Sequence, residues 1–318
     1  MNRVLVTGGN GFIGSHLVDA LVVAGYHVRV LDLFDRRFGS VPADVEWIHS
    51  DINTEYAIRE AMTGMDLVFH LAWTSIHETA TRDPLMDITT NLQPSVRLID
   101  ECRHAGVQRV IFLSSAGTAY GLAQHQPVDE EHPTNPISAY GITKLAVEKY
   151  LHLYRHLYGL DYVVLRPSVP YGPGQDPSKR QGAVGVFLYH LARGLPIEIW
   201  GDGSVIRDYF FINDLVSAAL SAAQAESLSE HVFNLGGGRG YTLNELLDVI
   251  RQVTGKPLEV TYSEGRRFDV PELVLDTTRA KRHLHWEPKV SLEEGVARTW
   301  QWIQTLDHSA ARQDRPPQ

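Results

Sequence analysis

The chain has 318 residues, 43% of them hydrophobic, with a formal net charge of −9 and a pI near 5.9. That is enough apolar side chain for one large core or two intimate ones, and the acidic balance, with no block of lysine or arginine, excludes a protein that coats nucleic-acid phosphates. A lone cysteine, Cys102, excludes an internal disulfide framework; the lack of a membrane-length apolar run or signal region before "RVLVTG" predicts a cytoplasmic protein whose partners are small molecules.

In chain order, "RVLVTG" (3–8) predicts a first strand, and "VTGGNGFIG" turns from it into a helix over 12–25. Gly8, Gly11 and Gly14 recur every third residue there. A tight turn, close approach of backbone to a pyrophosphate, and helix–sheet packing each need a missing Cβ, while the helix start at Phe12, Ile13 and Gly14 aims N–H groups at the phosphate. The second strand, "HVRVLDL", carries Asp32 near its end, placed to accept hydrogen bonds from the adenosine ribose and to repel a 2′-phosphate, which favours NAD over NADP. Arg36 and Arg37 read as solvated loop charges. After the third strand, "VEWIHSD", come Asp51 and Ile52, and after the fourth, "DLVFHLA", come Leu71, Ala72 and Trp73, all where a dinucleotide crosses a switch point. Asp51 also reads as a helix cap and Trp73 as core. Asn91, at the start of a helix predicted near 90–105, joins the cofactor candidates.

The fifth strand, "RVIFLSS", opens into "SSAGTAYG", which offers Ser114 beside the cofactor and Ser115 and Thr118 as further hydroxyls. In "YGITK", Tyr140 and Lys144 share one face of a helix over 140–158, so the ammonium can lower the phenol pKa and reach the nicotinamide ribose. A phenolate near neutrality is a usable general base. Glu148, His152 and His156 follow at metal-compatible spacing, but no other ligand block joins them and no metal site is predicted. With "YVVLRP" as the sixth strand, the alternation of continuous apolar runs and helix-length segments predicts an α/β fold, a Rossmann-like doubly wound parallel sheet covered on both faces. After Arg166 the texture changes to loops punctuated by Pro and Gly, which predicts a smaller C-terminal substrate lobe. Residues 1–168 are assigned to the NAD-binding domain, rejoined by about 208–238, residues 169–207 and 239–306 to the substrate lobe, and 307–318 to a disordered tail.

The ordered series "VTGGNGFIGSHL", "SSAGTAYG", "SAYGITKLAVEKY", "LRPSVPYGPGQ", "IWGDGSVIRDYFFINDL", "NLGGGRGYTLNEL" and "DVPELVLDTTRAKRHLHWEPKVSLEEG" resembles the extended short-chain dehydrogenase/reductase superfamily, and within it the nucleotide-sugar epimerases similar to UDP-glucose 4-epimerase. The resemblance implies an NAD-dependent 4-epimerase that transiently oxidises C4 of a UDP-linked hexose and returns the hydride to the other face. It implies Tyr140 as general base with Lys144 its electrostatic partner, Arg207 and Arg266 on the substrate diphosphate, and Asp269 on the nucleotide ribose. Leu273 then borders the sugar and leaves more room for an acetamido group than a tyrosine. It also implies a homodimer through the helices near 90–105 and 140–158. Arg207 has a plainer reading as an ion-pair partner of Asp208. Two positions depart from the family's pattern: Ala116 stands where a hydroxyl is usual, and Val169 where asparagine is common. "AGT" is similar to a Gly-Gly-Thr variant of this loop, so Thr118 is expected to supply the hydroxyl, with Ser115 as runner-up. A 4,6-dehydratase would need an Asp–Glu pair that the loop lacks. A 4-keto-sugar reductase is a second alternative, and a non-catalytic NAD-binding regulator, resting on Ala116 and Val169 alone, a third.

Overall fold

The computed structural model describes residues 2–36, 38–179, 182–265 and 270–306. The first half alternates strand and helix: β1 (Arg3–Thr7), α1 (Phe12–Val23), β2 (His27–Asp32), β3 (Glu46–His49), α2 (Glu55–Met62), β4 (Leu67–His70), α3 (His77–Arg82) and α4 (Pro84–Asp87). A π-helical turn over Ile88–Leu92 leads into α5 (Gln93–Ala105), and then come β5 (Arg109–Leu113), the short α6 (Ala116–Ala119), α7 (Ala139–Tyr158) and β6 (Asp161–Pro167). The second half adds β7 (Val169–Tyr171), α8 (Ala183–Ala192), β8 (Ile197–Trp200), β9 (Ile206–Phe211), α9 (Ile212–Gln224) and β10 (Val232–Leu235). It closes with β11 (Gly240–Thr242), α10 (Leu243–Thr254), β12 (Val260–Ser263), β13 (Glu272–Leu273), α11 (Thr278–His283) and α12 (Leu292–Thr305).

Seven strands pair in parallel in the order β10-β6-β5-β4-β1-β2-β3. Period-two alternation sorts their side chains onto two faces. Val4, Val6, Val28 and Val30 pack on one side with Leu17, Leu21 and Leu215, while Leu5, Leu31, Val68 and Val110 pack on the other with Ile58, Leu98 and Val147. Thus α1 and α9 cover one face, and α2, α5 and α7 the other. In the inner strands both faces are buried, which is why β1, β4 and β5 read as nearly unbroken apolar runs. The order of strands reverses between β1 and β4, and the crevice beyond their C-terminal ends receives the loops that carry the candidate residues.

A smaller mixed sheet is built on β9, which pairs in parallel with β7 and β13 and antiparallel with β11. A separate parallel pair joins β8 and β12. The segment 208–238 is divided between the two parts: β9 belongs to the small sheet, whereas α9 and β10 belong to the large one. Among the described residues, no helix is long and apolar enough to cross a membrane.

Candidate active site

The glycine turn after β1 shows which positions the fold itself demands. Gly8 has φ +74°, and a Cβ there would sit 2.7 Å from the backbone nitrogen of Ala72. At Gly14 a Cβ would overlap the carbonyl of Gly8, so these two glycines let β1, α1 and the loop after β4 pack backbone to backbone. Gly11 differs. Its φ of −69° suits any residue, and the only protein atom near its absent Cβ is the Gly8 carbonyl at 3.4 Å. Gly11 is also the N-cap of α1 and supplies no side-chain cap, so the N–H groups at Phe12 and Ile13 face a cradle that a side chain would fill. Asp32 accepts the backbone N–H of Asn10 at 2.9 Å and of Phe34 at 3.1 Å, which fixes its carboxylate at the rim of this cradle.

Arg36 is not the solvated loop charge expected from sequence. Its guanidinium is 7% exposed and forks onto Asp19, with Nη1–Oδ1 at 2.8 Å and Nη2–Oδ2 at 2.5 Å. An arginine committed to α1 in this way is spent as a 2′-phosphate ligand. Arg37 lies outside the described residues. Asp51 accepts the backbone and side-chain N–H groups of Asn53 at 2.8 and 2.9 Å, shaping the loop after β3, and Ile52 is buried beneath it. These residues fit a dinucleotide laid across the sheet ends with its phosphates at α1.

Ser138 caps α7 by accepting the N–H of Gly141 at 3.2 Å, and the helix presents Tyr140 and Lys144 on one face. Lys144 Nζ donates to the Leu113 carbonyl at the end of β5 at 2.8 Å and lies 3.7 Å from the centre of the Trp73 ring. Burial pulls its ammonium down to about 7, against the opposing charges of Glu148 and Asp87. Trp73 also meets Tyr140 edge-on at 5.8 Å, and His77 stacks on the same phenol at 5.0 Å with planes 12° apart. Burial, and then the charge of Asp87, push the Tyr140 phenol above its ordinary value. His70, below Lys144, is held neutral by burial, its imidazole lowered to about 3, between Thr7 Oγ1 at 2.9 Å and Ser95 Oγ at 2.8 Å.

The hydroxyls of the "SSAGTAYG" loop divide three ways. Ser114 donates to Glu148 Oε1 at 2.5 Å and is buried. Ser115 is half-buried as the N-cap of α6, without a side-chain cap bond. Thr118 is 4% exposed, and its Oγ1 has no hydrogen-bond partner among the described residues. Its own carbonyl lies where a Cβ on Gly141 would collide, so Thr118 rests against the first turn of α7. Ala116 is fully buried in an apolar cluster with Tyr120, Val128, Leu273 and Leu275.

On the substrate side, Leu273 of β13 stands opposite Arg207 of β9, and its side chain is buried against the Ala116 cluster. Arg207 donates to the Val270 carbonyl at 2.6 Å. The ion-pair reading with Asp208 is excluded by direction: that carboxylate turns inward to the N–H groups of Gly237 at 2.6 Å and Leu275 at 3.2 Å. Burial raises Asp208 to about 7, against those hydrogen bonds. Val169 pairs with Tyr209 at the start of β7. Arg266 and Asp269 lie outside the described residues.

Asn91 and Glu148, singled out in the sequence as a cofactor candidate and as part of a metal-compatible series, are both engaged within the protein, and Arg166 and Tyr120, which the sequence did not single out, join them. Asn91 uses its amide within the protein, accepting Thr74 N at 2.8 Å and donating to Asp87 Oδ1 at 2.9 Å, and so braces the loop that carries Trp73. Glu148 turns inward to a forked pair with Arg166, Nη2–Oε2 2.5 Å, while His152 and His156 are exposed. Arg166 continues to Tyr120 OH at 2.9 Å, and Tyr120 to Asn234 Oδ1 at 2.6 Å. An Arg in a strand, paired with an inward Glu one turn beyond Lys144, has no local pattern to betray it.

Residues 4–236 match the profile of the NAD dependent epimerase/dehydratase family. A UDP-glucose 4-epimerase of Mycolicibacterium smegmatis is 38% identical over 310 residues, covering 93% of this chain and 97% of that protein. The crystal structure of a UDP-glucose 4-epimerase with UDP-glucose from Thermotoga maritima superposes with a TM-score of 0.90 at 39% identity, covering 95% of this chain and 98% of that one. A Thermus thermophilus UDP-glucose 4-epimerase in complex with NAD gives 0.88 at 34% identity, over 95% and 99%. With the matched profile spanning more than half its length and the relatives nearly all of it, the chain belongs to the NAD dependent epimerase/dehydratase family.

Proposed function

We propose that the chain is a 4-epimerase of a UDP-linked hexose. One observation carries this reading: a buried hydroxyl, Thr118, with no partner among the described residues, rests on the helix turn that presents Tyr140 and Lys144. NAD, when bound, supplies the hydride acceptor and donor for C4. Tyr140 takes the proton of the C4 hydroxyl and later returns it, Lys144 holds the phenolate form, and Thr118 orients the C4 oxygen. Gly11, the start of α1 and Asp32 hold the dinucleotide, and the engagement of Arg36 with Asp19 favours NAD over NADP. Arg207, with Arg266 and Asp269, is assigned to the nucleoside diphosphate. Arginine suits that site because its fork matches phosphate oxygens. The exposed apolar stripe Ile142, Tyr150, Leu153 and Leu157 on α7 supports a homodimer.

The test is direct. The purified protein is denatured and the released nucleotide identified, and the native protein is incubated with UDP-, GDP- and dTDP-linked hexoses, plain and acetamido, with the epimers resolved. Interconversion of a UDP-hexose pair with NAD released is expected. NADP, or reduction consuming external cofactor without epimer formation, would overturn the reading in favour of a reductase.

A further inference from the structure

Between the cofactor loop and the catalytic helix lies a carboxylate that none of the assigned roles uses. Asp87, the last residue of α4, is fully buried. Its Oδ1 accepts Ser75 Oγ at 2.5 Å and Asn91 Nδ2 at 2.9 Å, and its Oδ2 accepts Thr143 Oγ1 at 2.6 Å. Three hydrogen-bonding groups serve its two oxygens, an arrangement that suits a carboxylate. All three donors are neutral. Glu148, the buried carboxylate on α7, is matched by Arg166. Thr143 sits next to Lys144 and three residues after Tyr140 on α7, so the hydrogen bond places the Asp87 charge against the face that carries the pair.

We propose that Asp87 is a positioning residue whose negative charge keeps Lys144 an ammonium inside a dry site, and so sets the acid–base balance of the Tyr140–Lys144 pair. Burial alone drives a lysine towards its neutral form, and a neutral lysine cannot hold a phenolate. The charged and titratable groups facing Lys144 come from every neighbouring element: Tyr140 and Glu148 on its own helix, His70 on β4, Arg166 on β6 through Glu148, Asp87 on α4, and His77 on α3 against Tyr140. His70 is buried neutral, and of the two carboxylates that favour the ammonium Glu148 comes first but is also forked onto Arg166, whereas Asp87 is bonded by neutral side chains alone. The same charge raises the phenol, so Asp87 acts on the pair in opposed directions, favouring the ammonium of Lys144 and disfavouring the phenolate of Tyr140.

The experiment reads Lys144 itself. The full-length protein, labelled with 13C at lysine Cε, has six lysines, few enough for the Lys144 signal to be identified by its loss in Lys144→Arg. The pH dependence of that signal is followed in the wild type, in Asp87→Asn and Asp87→Ser, which remove the charge with and without an acceptor of similar shape, and in Thr143→Val, which cuts the tie to α7 and keeps the charge. Removing a negative neighbour lowers an ammonium pKa, and a charge at this range in a partly dry site is worth about one pH unit or more. Both Asp87 variants are therefore expected to titrate at least about one unit lower, and Thr143→Val within about 0.3 unit of wild type. An unchanged titration in either folded Asp87 variant overturns the proposal, and so does a Thr143→Val shift as large as that of Asp87→Asn, since the effect would then be positional. The role in catalysis rests on the epimerase reading, but the titration does not. A failed sugar panel with a shifted titration indicts the reaction assigned, and an active enzyme with no shift indicts Asp87.

Discussion

Replacing Thr118 by valine keeps the shape of the side chain and deletes one hydroxyl. The hydroxyl is 4% exposed at the residue level and unpartnered among the described residues, so the protein bears its desolvation without return. A buried polar group of this kind costs about 1–3 kcal/mol, and valine should raise the unfolding free energy by about 1–2 kcal/mol. On the proposed reading the same hydroxyl is the donor that holds the reacting oxygen, and removing one such donor costs about 100-fold, roughly 2.7 kcal/mol of transition-state stabilisation. The variant should thus become more stable and less active. Urea unfolding followed by circular dichroism gives the first quantity, and steady-state epimerisation the second. General structural damage lowers both together. A valine variant that loses stability shows that Thr118 Oγ1 has a partner in solution, and one that keeps full activity while Ser115→Ala loses it moves the donor to Ser115. Either result refutes the assignment.

Tyr140→Phe should lower turnover by about 100-fold or more while the protein still co-purifies with its nucleotide, because the ring keeps its packing and loses only the proton acceptor; near-normal epimerisation would remove Tyr140 as base. Ala116→Ser places a hydroxyl among Tyr120, Val128, Leu273 and Leu275, and should cost about 1–2 kcal/mol in urea unfolding with no gain in turnover; a sharp rise in activity would show that the hydroxyl reaches the sugar. The folded Lys144 titrates at about 7 and the unfolded lysine near 10.4, so between pH 7 and 9 the unfolded chain holds the extra proton and stability rises with pH. Across that window the contribution is about 2 kcal/mol, and Lys144→Met should abolish it, whereas an unchanged slope in urea unfolding would deny the lowered pKa.

What could be read from the sequence was whatever repeats along the chain. The helix carrying Tyr140 and Lys144 follows from their spacing, and the sheet from apolar runs that alternate with helices. The glycine triplet was legible as a turn, but the division of labour within it was not: Gly8 is fixed by Ala72, more than sixty residues on, whereas a Cβ at Gly11 would meet no described protein atom closer than 3.4 Å. Arg36 looked like any loop arginine because its partner Asp19 lies on the far side of a strand. Asp87 sits in "DPLMDITTN", a stretch polar enough to pass for surface, and becomes a buried charge only when Thr143 and Ser75 are folded against it. Leu273 was expected beside the sugar, and its burial against Ala116 comes from a strand register that no local pattern encodes.

The junction of β9 and α9 carries a mechanical consequence. The strand of the small sheet ends at Phe211 and the helix that covers the large sheet begins at Ile212, with no residue between them and both side chains buried. The chain then re-enters the large sheet as its edge strand β10. With no slack at this crossing, loss of the small sheet pulls directly on a helix that buries one face of the large one. The two parts are therefore bound to melt in a single transition, and neither can be cut out as a fragment that keeps its own core. A swing of one part about the other would have to be absorbed in part at Phe211 and Ile212, two buried residues at the ends of their elements.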